Sequence, residues 1–511
     1  MVDSRRIVGI VLALCAGVLA LGAAGAGRRA VPTRMPTADA QMRERFLEMF
    51  ARGYYPGRSG QLFVVPKQGH FVSGSDDTLY FFMHGSPWDY DTRIPLIFYG
   101  AGRIRQGEIS TVARQQDIVP TLAHVLGMPL PATVTGHALE VWREGSTPPA
   151  VVLVIVLDGM RADYLNRESR LPVLTAVRKG GASFPNARID YLPTNTAVGH
   201  ATISTGSDPR FHGIVGNSMY DVVQDTTRPP FAGANPDYLL VPTVADLWSA
   251  ATHGRARILA QGGNVKSGTA LAGHGSGSTG RYLPGKRRDN PVWLAAYDEN
   301  MGKWTAGKDS AFSLSPGFEG ADDCWKDLPG FPPEGPKNCK SMRHSPYFAR
   351  CEGRVAVAAL DAWPVRGDSI PALALINLKT LDFVGHAYGP DSPQMDTALA
   401  EVDAQVGNIL SAVRNKVGEN FVVAVTADHG MPPGDRRFAR DRRHTTNAVR
   451  DSMNNGNRGP IAFYEGEDAQ IFLRPEYTTR TAADSLAHRL ARSFFAVFTA
   501  DSVRRAASRV H

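Results

Sequence analysis

Val151–Leu157 reads VVLVIVL, seven apolar residues of which five are β-branched, and it ends abruptly in Asp158-Gly159. The run is too short for a buried helix and is continuous rather than alternating. That is the pattern of a strand covered on both faces. Working outward, Ala372–Leu378 (ALALINL) repeats it and is followed closely by Asp382. Phe421–Thr426 (FVVAVT) repeats it again and ends at Ala427-Asp428-His429-Gly430. A fourth run, Ile94–Tyr99, follows the polar segment MHGSPWDYDTR. Helical patterns fall at Asp117–Leu126, Leu171–Lys179 and Gln394–Arg414. Strands alternating with helices predict an α/β fold with a mostly parallel sheet covered on both faces. Ligands of such sheets bind beyond the carboxyl ends of the strands, where these acids stand.

The chain has 511 residues, 43% of them hydrophobic and 21% charged, which is enough for a large core and excludes disorder, collagen and coiled coil. Its net charge of +7 comes from scattered arginines. This suits solubility or attraction for anionic small molecules, and no binding of a nucleic-acid polymer is expected. Arg5-Arg6 precede an apolar run, Ile7–Gly27, that closes with Ala24-Gly25-Ala26 and Arg28-Arg29. Residues 1–29 therefore read either as a cleaved secretory signal or as an uncleaved membrane anchor through residues 7–27. Both place the bulk of the chain outside the cytoplasm, in the periplasm or beyond. Beyond the export segment stand Cys324, Cys339 and Cys351, with no His at metal-site spacing; one disulfide with one thiol left over is expected, its pairing open. Residues 262–365, with a Gly/Ser-rich stretch and several aromatics, read as a cap-like insertion, and Arg143–Ala150 (REGSTPPA) as a linker.

The strand-end acids form a metal inventory. Asp382-Phe-Val-Gly-His386 places a carboxylate and an imidazole four apart, Asp428-His429 supplies a second pair, and Asp158 a third carboxylate. Oxygen and imidazole donors without thiolate make zinc the default ion. A single Asp after a strand is ordinarily a helix cap; three of them, two paired with His, point to a metal site. A nucleophile candidate lies in LPTNTAVGHATISTG, Leu192–Gly206, where helix is expected from Ala197 onward. Thr194 reads as a capping residue. Thr196, at a helix N-terminus that favours anions, reads as a nucleophilic hydroxyl.

These segments together, VIVLDGMRADYL, YLPTNTAVGHATISTG, PRFHGIVGNSMYD, LDFVGHAYGP and VTADHGM, resemble the alkaline phosphatase superfamily. Within it they are similar to the branch shared by Thr-nucleophile alkaline phosphatases and type I phosphodiesterase/nucleotide pyrophosphatases. The resemblance runs from Tyr54 to about Phe472. It implies a three-layer α/β/α sandwich and two Zn2+ ions, one held by Asp158, Asp428 and His429 with Thr196 bridging, the other by Asp382 and His386. Asn217 matches the side chain that hydrogen-bonds a phosphoryl oxygen.

Two departures stand out. The expected third ligand of the second zinc, a His in a segment like THGSxxxYDTHxPLxFYG, has no match after His429. The matching segment is Phe82–Gly100, FMHGSPWDYDTRIPLIFYG, which offers His84. The chain thus reads as circularly permuted. Residues 30–142 correspond to the family's C-terminal part, 143–150 join its ordinary end to its ordinary start, and 151–511 form the main part of the catalytic domain. Joining ends in this way is tolerated because domain termini are commonly close together. Second, the phosphate clamp Lys-x-Arg of the monoester-specific branch is here Lys266-Ser-Gly268: the Lys is kept and the Arg is lost. Without a bidentate guanidinium, monoester binding should weaken.

The resemblance implies an exported zinc-dependent phosphohydrolase acting on small phosphate esters through a phospho-threonine at Thr196, with Asn217 and Lys266 on the phosphate. A phosphodiesterase or nucleotide pyrophosphatase using the same site is the alternative reading. An inactive metal-binding surface protein is a more distant one, disfavoured because such a protein has no need of a nucleophile between two metals.

Overall fold

The computed structural model describes residues 38–74, 79–275, 292–299, 303–306, 313–315, 326, 329, 342–365, 369–454 and 459–510. These fall into two compact units, Met1–Met42 and Arg43–His511. Of the first, only the opening of the helix Ala38–Gly53 is described; the elements that follow lie in the second. The expected export segment, Cys324 and Cys339 lie outside the described residues. Cys351 is buried and disulfide-bonded. Among the described residues, no helix is long and apolar enough to cross a membrane.

The main sheet contains the four apolar runs read from sequence and two strands that were not, Ile258–Gly262 and Trp293–Asp298. Strands β1 (Leu96–Tyr99), β2 (Val151–Leu157), β3 (Ile258–Gly262), β4 (Trp293–Asp298), β5 (Ala372–Leu378) and β6 (Phe421–Thr426) lie side by side in the order β4-β3-β5-β2-β6-β1, with shorter strands at both edges. All residues of β2, β5 and β6 are buried, as continuous β-branched runs require. From β4 to β6 neighbours are parallel. Leu157 pairs with Leu378 and Val156 with Thr426, so the three central strands end level with one another. Level ends put Asp158, the turn after Leu378 and Asp428 on one edge.

Strand β1 is antiparallel to β6, Leu96 opposite Thr426 and Tyr99 opposite Val423. Its direction matters, because a strand that runs the other way begins at the edge where the parallel strands end. The chain entering β1, which carries His84, is thereby delivered over the acids.

Helices α1 (Thr196–Thr205), α2 (Val265–Ala272), α3 (Phe348–Ala362), α4 (Thr380–Tyr388) and α5 (Pro393–Val417) follow the strands. Helix α5 starts with the Ser392 side chain accepting from the Met395 N–H and Pro393 in the first turn, and stops at Gly418 with φ +60°. Residues 262–365 are not simply a cap. Strand β4 pairs in parallel with β3 and extends the main sheet, while α3 packs along α5. Gly/Pro-rich surroundings hid both from the sequence.

A second sheet is antiparallel, in the order Ile461–Glu465, Gln470–Leu473, Leu62–Val65, Ala496–Thr499. Leu62–Val65, fully buried, is an interior strand between two strands from the far end of the chain. The 143–148 stretch is a largely exposed turn, with the Ser146 N–H donating to the Arg143 carbonyl.

Candidate active site

Thr196 is the first residue of α1. The cap before it is Asn195, whose side chain accepts from the Val198 N–H, rather than Thr194 as expected. Thr194 instead donates its hydroxyl proton to the Ser86 carbonyl. The helix begins one residue earlier than the sequence suggested, so Thr196 stands inside the ring of N-terminal N–H groups with its hydroxyl free to face the strand ends. Its Oγ1 lies 3.4 Å from His429 Nε2.

Around that hydroxyl the strand ends gather Asp158, Asp382, Asp428, His429, His386 and His84, all buried. The three histidines share one arrangement. Nδ1 of His84 donates to the Thr194 carbonyl at 2.8 Å, Nδ1 of His386 to the Phe82 carbonyl at 2.6 Å, and Nδ1 of His429 to the Gly430 carbonyl at 2.9 Å. A neutral imidazole with its Nδ1 proton so committed presents a bare lone pair at Nε2, which is how metal-ligating histidines are held. The Nε2 atoms of His84 and His386 lie 3.5 and 3.2 Å from Asp382 Oδ1, and that of His429 lies 3.3 Å from Asp428 Oδ2 and 3.6 Å from Asp158 Oδ1. The His84 and His429 rings stack at 3.5 Å. His84 Nε2, Asp382 Oδ1 and Asp428 Oδ2 are buried without any hydrogen-bond partner. Acceptors do not gather unpaired inside a protein unless a cation belongs between them. Donor atoms within 4.8 Å of one another form the groups Asp158–Asp428–His429, His84–Asp382–His429 and His84–His386–Glu467. The residues fit divalent-cation binding, though by this measure His84 falls with His429 and Glu467 as well as with Asp382 and His386.

Electrostatics follow the crowding. Burial pushes the His429 imidazole down to about 3, keeping it neutral. Burial and the neighbouring Asp428 push Asp158 well above the usual carboxylate range. Burial acts the same way on Asp382, but His386 and Lys379 outweigh it and hold that carboxyl well below.

A cleft of about 590 Å³ opens onto this cluster, lined by Thr196, Asn217, Lys266, Asp382 and His386 among others. Asn217 Oδ1 accepts from the Ala197 N–H, and its amide donates to Glu467 Oε1 at 2.8 Å. Gly268 explains the missing guanidinium. It sits where α2 packs on β4, and even a Cβ there would meet the Ala296 Cβ at 3.0 Å. A side chain at 268 faces the core, not the cleft.

Four residues escaped the sequence reading. Lys379, directly after β5, donates to Asp158 Oδ1, Asp382 Oδ2 and Thr196 Oγ1. Its place at a strand end was the signal that could have found it. Glu352, buried on α3, accepts from the Lys379 and Thr380 N–H groups and the Thr380 hydroxyl, fixing the turn that carries Lys379. His200 places Nδ1 at 2.9 Å from the Thr196 carbonyl and 3.3 Å from Asp428 Oδ2. Glu467 follows a strand of the second sheet and carries no local signature.

A family profile described as "Type I phosphodiesterase / nucleotide pyrophosphatase" matches residues 152–503. The chain belongs to that family. Relatives that the chain resembles include the alkaline phosphatase PafA of Elizabethkingia meningoseptica, 27% identical over 328 residues, covering 55% of this chain and 60% of the relative. The human ectonucleotide pyrophosphatase/phosphodiesterase family member 1 is 26% identical over 290 residues, 56% of this chain and 24% of that protein. The chain thus spans about 60% of the first relative's length and less of the second. The crystal structure of wild-type PafA superposes with a TM-score of 0.51 at 22% identity, covering 68% of this chain and 76% of that one. A four-site PafA variant gives 0.53 at 20%, covering 68% and 78%. Both support the three-layer α/β fold expected from the sequence.

Proposed function

We propose that this member of the family is an exported phosphohydrolase that uses two zinc ions and Thr196 to cleave phosphate esters, monoesters foremost. The observation that carries the reading is the Thr196 hydroxyl at a helix N-terminus, facing three histidines whose Nε2 lone pairs are all turned inward beside unpaired carboxylate oxygens. Asp158, Asp428 and His429 would hold one ion, and Asp382, His386 and His84 the other. Such ions, when bound, lower the pKa of a coordinated hydroxyl or water and neutralise phosphoryl charge.

The chain's own residues account for the rest. Thr196 Oγ gives up its proton and attacks phosphorus, forming an O–P bond as the bond to the leaving oxygen breaks; overall that proton passes to the leaving oxygen, which departs as the alcohol. Water then attacks the phospho-threonine, releasing phosphate and returning the threonine hydroxyl. The N-terminus of α1 favours the charge gathering at the phosphoryl oxygens. Lys266, reaching the cleft from α2, attracts the second negative charge that distinguishes a monoester from a diester. With Gly268 turned into the core, Lys266 has no guanidinium beside it from that helix, and this keeps a diesterase or nucleotide pyrophosphatase as the second reading.

The same reading takes residues 30–142 as the family's closing portion moved to the front, with residues 1–29 directing export. Two features support the permutation: His84 arrives at the site on the approach to β1, and Leu62–Val65 pairs with strands near residues 470 and 497. The test is turnover of an aryl phosphomonoester and the matching diester by zinc-loaded protein and its Thr196→Ala variant. Zinc-dependent monoester hydrolysis lost in the variant supports the reading, a diester preference selects the second, and undiminished activity of the variant refutes Thr196 as nucleophile.

A further inference from the structure

Lys379 is a lysine in a place built for cations. Its side chain is 4% exposed, and its Nζ donates to Asp158 Oδ1 at 2.9 Å, Asp382 Oδ2 at 2.7 Å and Thr196 Oγ1 at 3.2 Å. One carboxylate comes from each of the two ligand groups assigned above, so the ammonium stands between them and against the nucleophile. Its Nζ also lies over the Phe383 ring, 5.3 Å from the centroid. The placement is held rather than incidental. Glu352 grips the Lys379 and Thr380 N–H groups, and a Cβ at Gly263 would lie 2.5 Å from the Lys379 Cβ.

The two ligand groups are left unequal by it. Asp382 gives Oδ2 to Lys379 but keeps Oδ1 unpaired, facing the bare Nε2 atoms of His84 and His386. Asp158 has both oxygens engaged, Oδ1 by Lys379 and Oδ2 by the Asn377 amide at 3.2 Å. Oδ1 is also the Asp158 oxygen that lies toward His429. A cation entering among Asp158, Asp428 and His429 must share that oxygen with an ammonium.

We infer that Lys379 is a catalytic residue, a fixed positive charge that stays on the Thr196 oxygen through phosphoryl transfer and supplies, from a strand end, the second cationic contact that position 268 cannot. The inference rests on the metal and nucleophile reading given above. Lys379 donates a hydrogen bond to the oxygen throughout; no proton leaves it, and the O–P bond forms and breaks as already described. A fixed donor on the attacking oxygen favours the deprotonated form that attacks, and removing one such preplaced donor costs about 10²–10³ in rate. The same charge makes metal uptake at the Asp158 group weaker than at the His84–Asp382–His386 group.

The test is zinc titration against a chromophoric chelator, with single-turnover phosphorylation of Thr196 read by intact mass, on the wild type, Lys379→Met and Lys379→Gln. The wild type should fill in two unequal steps. In both variants the weaker step should tighten about tenfold or more, while phosphorylation slows by about 100-fold or more. Two equal steps in the wild type would overturn the inference even if neither variant folds. So would variants whose zinc isotherm and phosphorylation rate match the wild type, or ones that lose metal at both steps. A wild type that takes up no zinc and forms no phospho-threonine would instead defeat the underlying reading.

Discussion

His84→Ala tests the assembly of the site across the length of the chain. The His84 ring makes three kinds of contact that the change removes. Its Nε2 is aimed at Asp382 Oδ1 from 3.5 Å, its Nδ1 proton satisfies the Thr194 carbonyl, and its face stacks on His429. Losing one of three protein ligands should weaken that ion by at least two decades, since even disturbing a supporting partner of a ligand costs 10–100-fold; two decades are about 2.7 kcal/mol. Leaving the buried Thr194 carbonyl unpaired adds about 1–3 kcal/mol of destabilisation, in the loop that positions Thr196. Turnover of an aryl phosphate should therefore fall by at least 100-fold, recovering only in part at millimolar zinc. Zinc affinity by chelator competition and melting temperature by circular dichroism separate the two effects. The control is His444→Ala, because His444 pairs with His70 at 3.0 Å, away from the cluster; its activity should stay within about twofold of the wild type. A His84→Ala protein that binds two zinc ions with wild-type affinity and turns over normally would refute both the ligand assignment and the permuted order.

Four further outcomes follow from the site. Thr196→Ala should lose several orders of magnitude in kcat, whereas Thr194→Ala, which gives up one hydrogen bond to Ser86, should cost only about 1 kcal/mol of stability, read by urea midpoint. Lys266→Ala should lower monoester kcat/KM about 10–100-fold, or roughly 1.4–2.7 kcal/mol, and leave the diester nearly unchanged; equal losses would make Lys266 structural. Gly268→Arg should not restore a phosphate clamp but should lower the melting temperature, overpacking against Ala296 costing about 1–3 kcal/mol. Burial pushes Glu352 up to about 7, against hydrogen bonds from Thr380 and Lys379. The folded state then holds a proton that the unfolded state releases above the ordinary Glu value, so this group's contribution to stability falls as pH rises from about 4.5 to 7, by about 3 kcal/mol. Urea midpoints at pH 5 and 8 should differ less in Glu352→Gln than in the wild type.

Three of the four apolar strands were legible to the residue, while the fourth, read as Ile94–Tyr99, begins only at Leu96. Val151–Leu157, Ala372–Leu378 and Phe421–Thr426 have the bounds their runs imply, because strands buried on both faces leave no alternation to misread. The site's carboxylates and paired histidines were legible for the related reason that they stand at those strand ends. Strands β3 and β4 were not: ILAQG is short and ends in Gly, and β4 follows a long polar stretch, so pairing rather than composition makes them strands. Lys379 was missed because a single lysine after a strand reads as solvated surface until the register of β5 with β2 is known. Glu467 and Glu352 were beyond reach, since each meets the site from an element that only tertiary packing brings near.

The interior place of Leu62–Val65 in the second sheet has a consequence for how the molecule comes into being. The Gly60 N–H ahead of that strand pairs with the Gln470 side chain, 410 positions further along. At a synthesis rate of about 5–20 residues per second, the strand waits roughly 20–80 s after emerging before its partners exist. During that interval LFVV is an apolar segment with open backbone on both sides, the kind of edge that invites association between chains. A protein with such long-range pairing also folds slowly once complete, because the largest loop must close before the sheet rewards it. A nascent chain held unfolded and passed on to another compartment before folding is protected over that interval, which makes export and this order of strands mutually compatible.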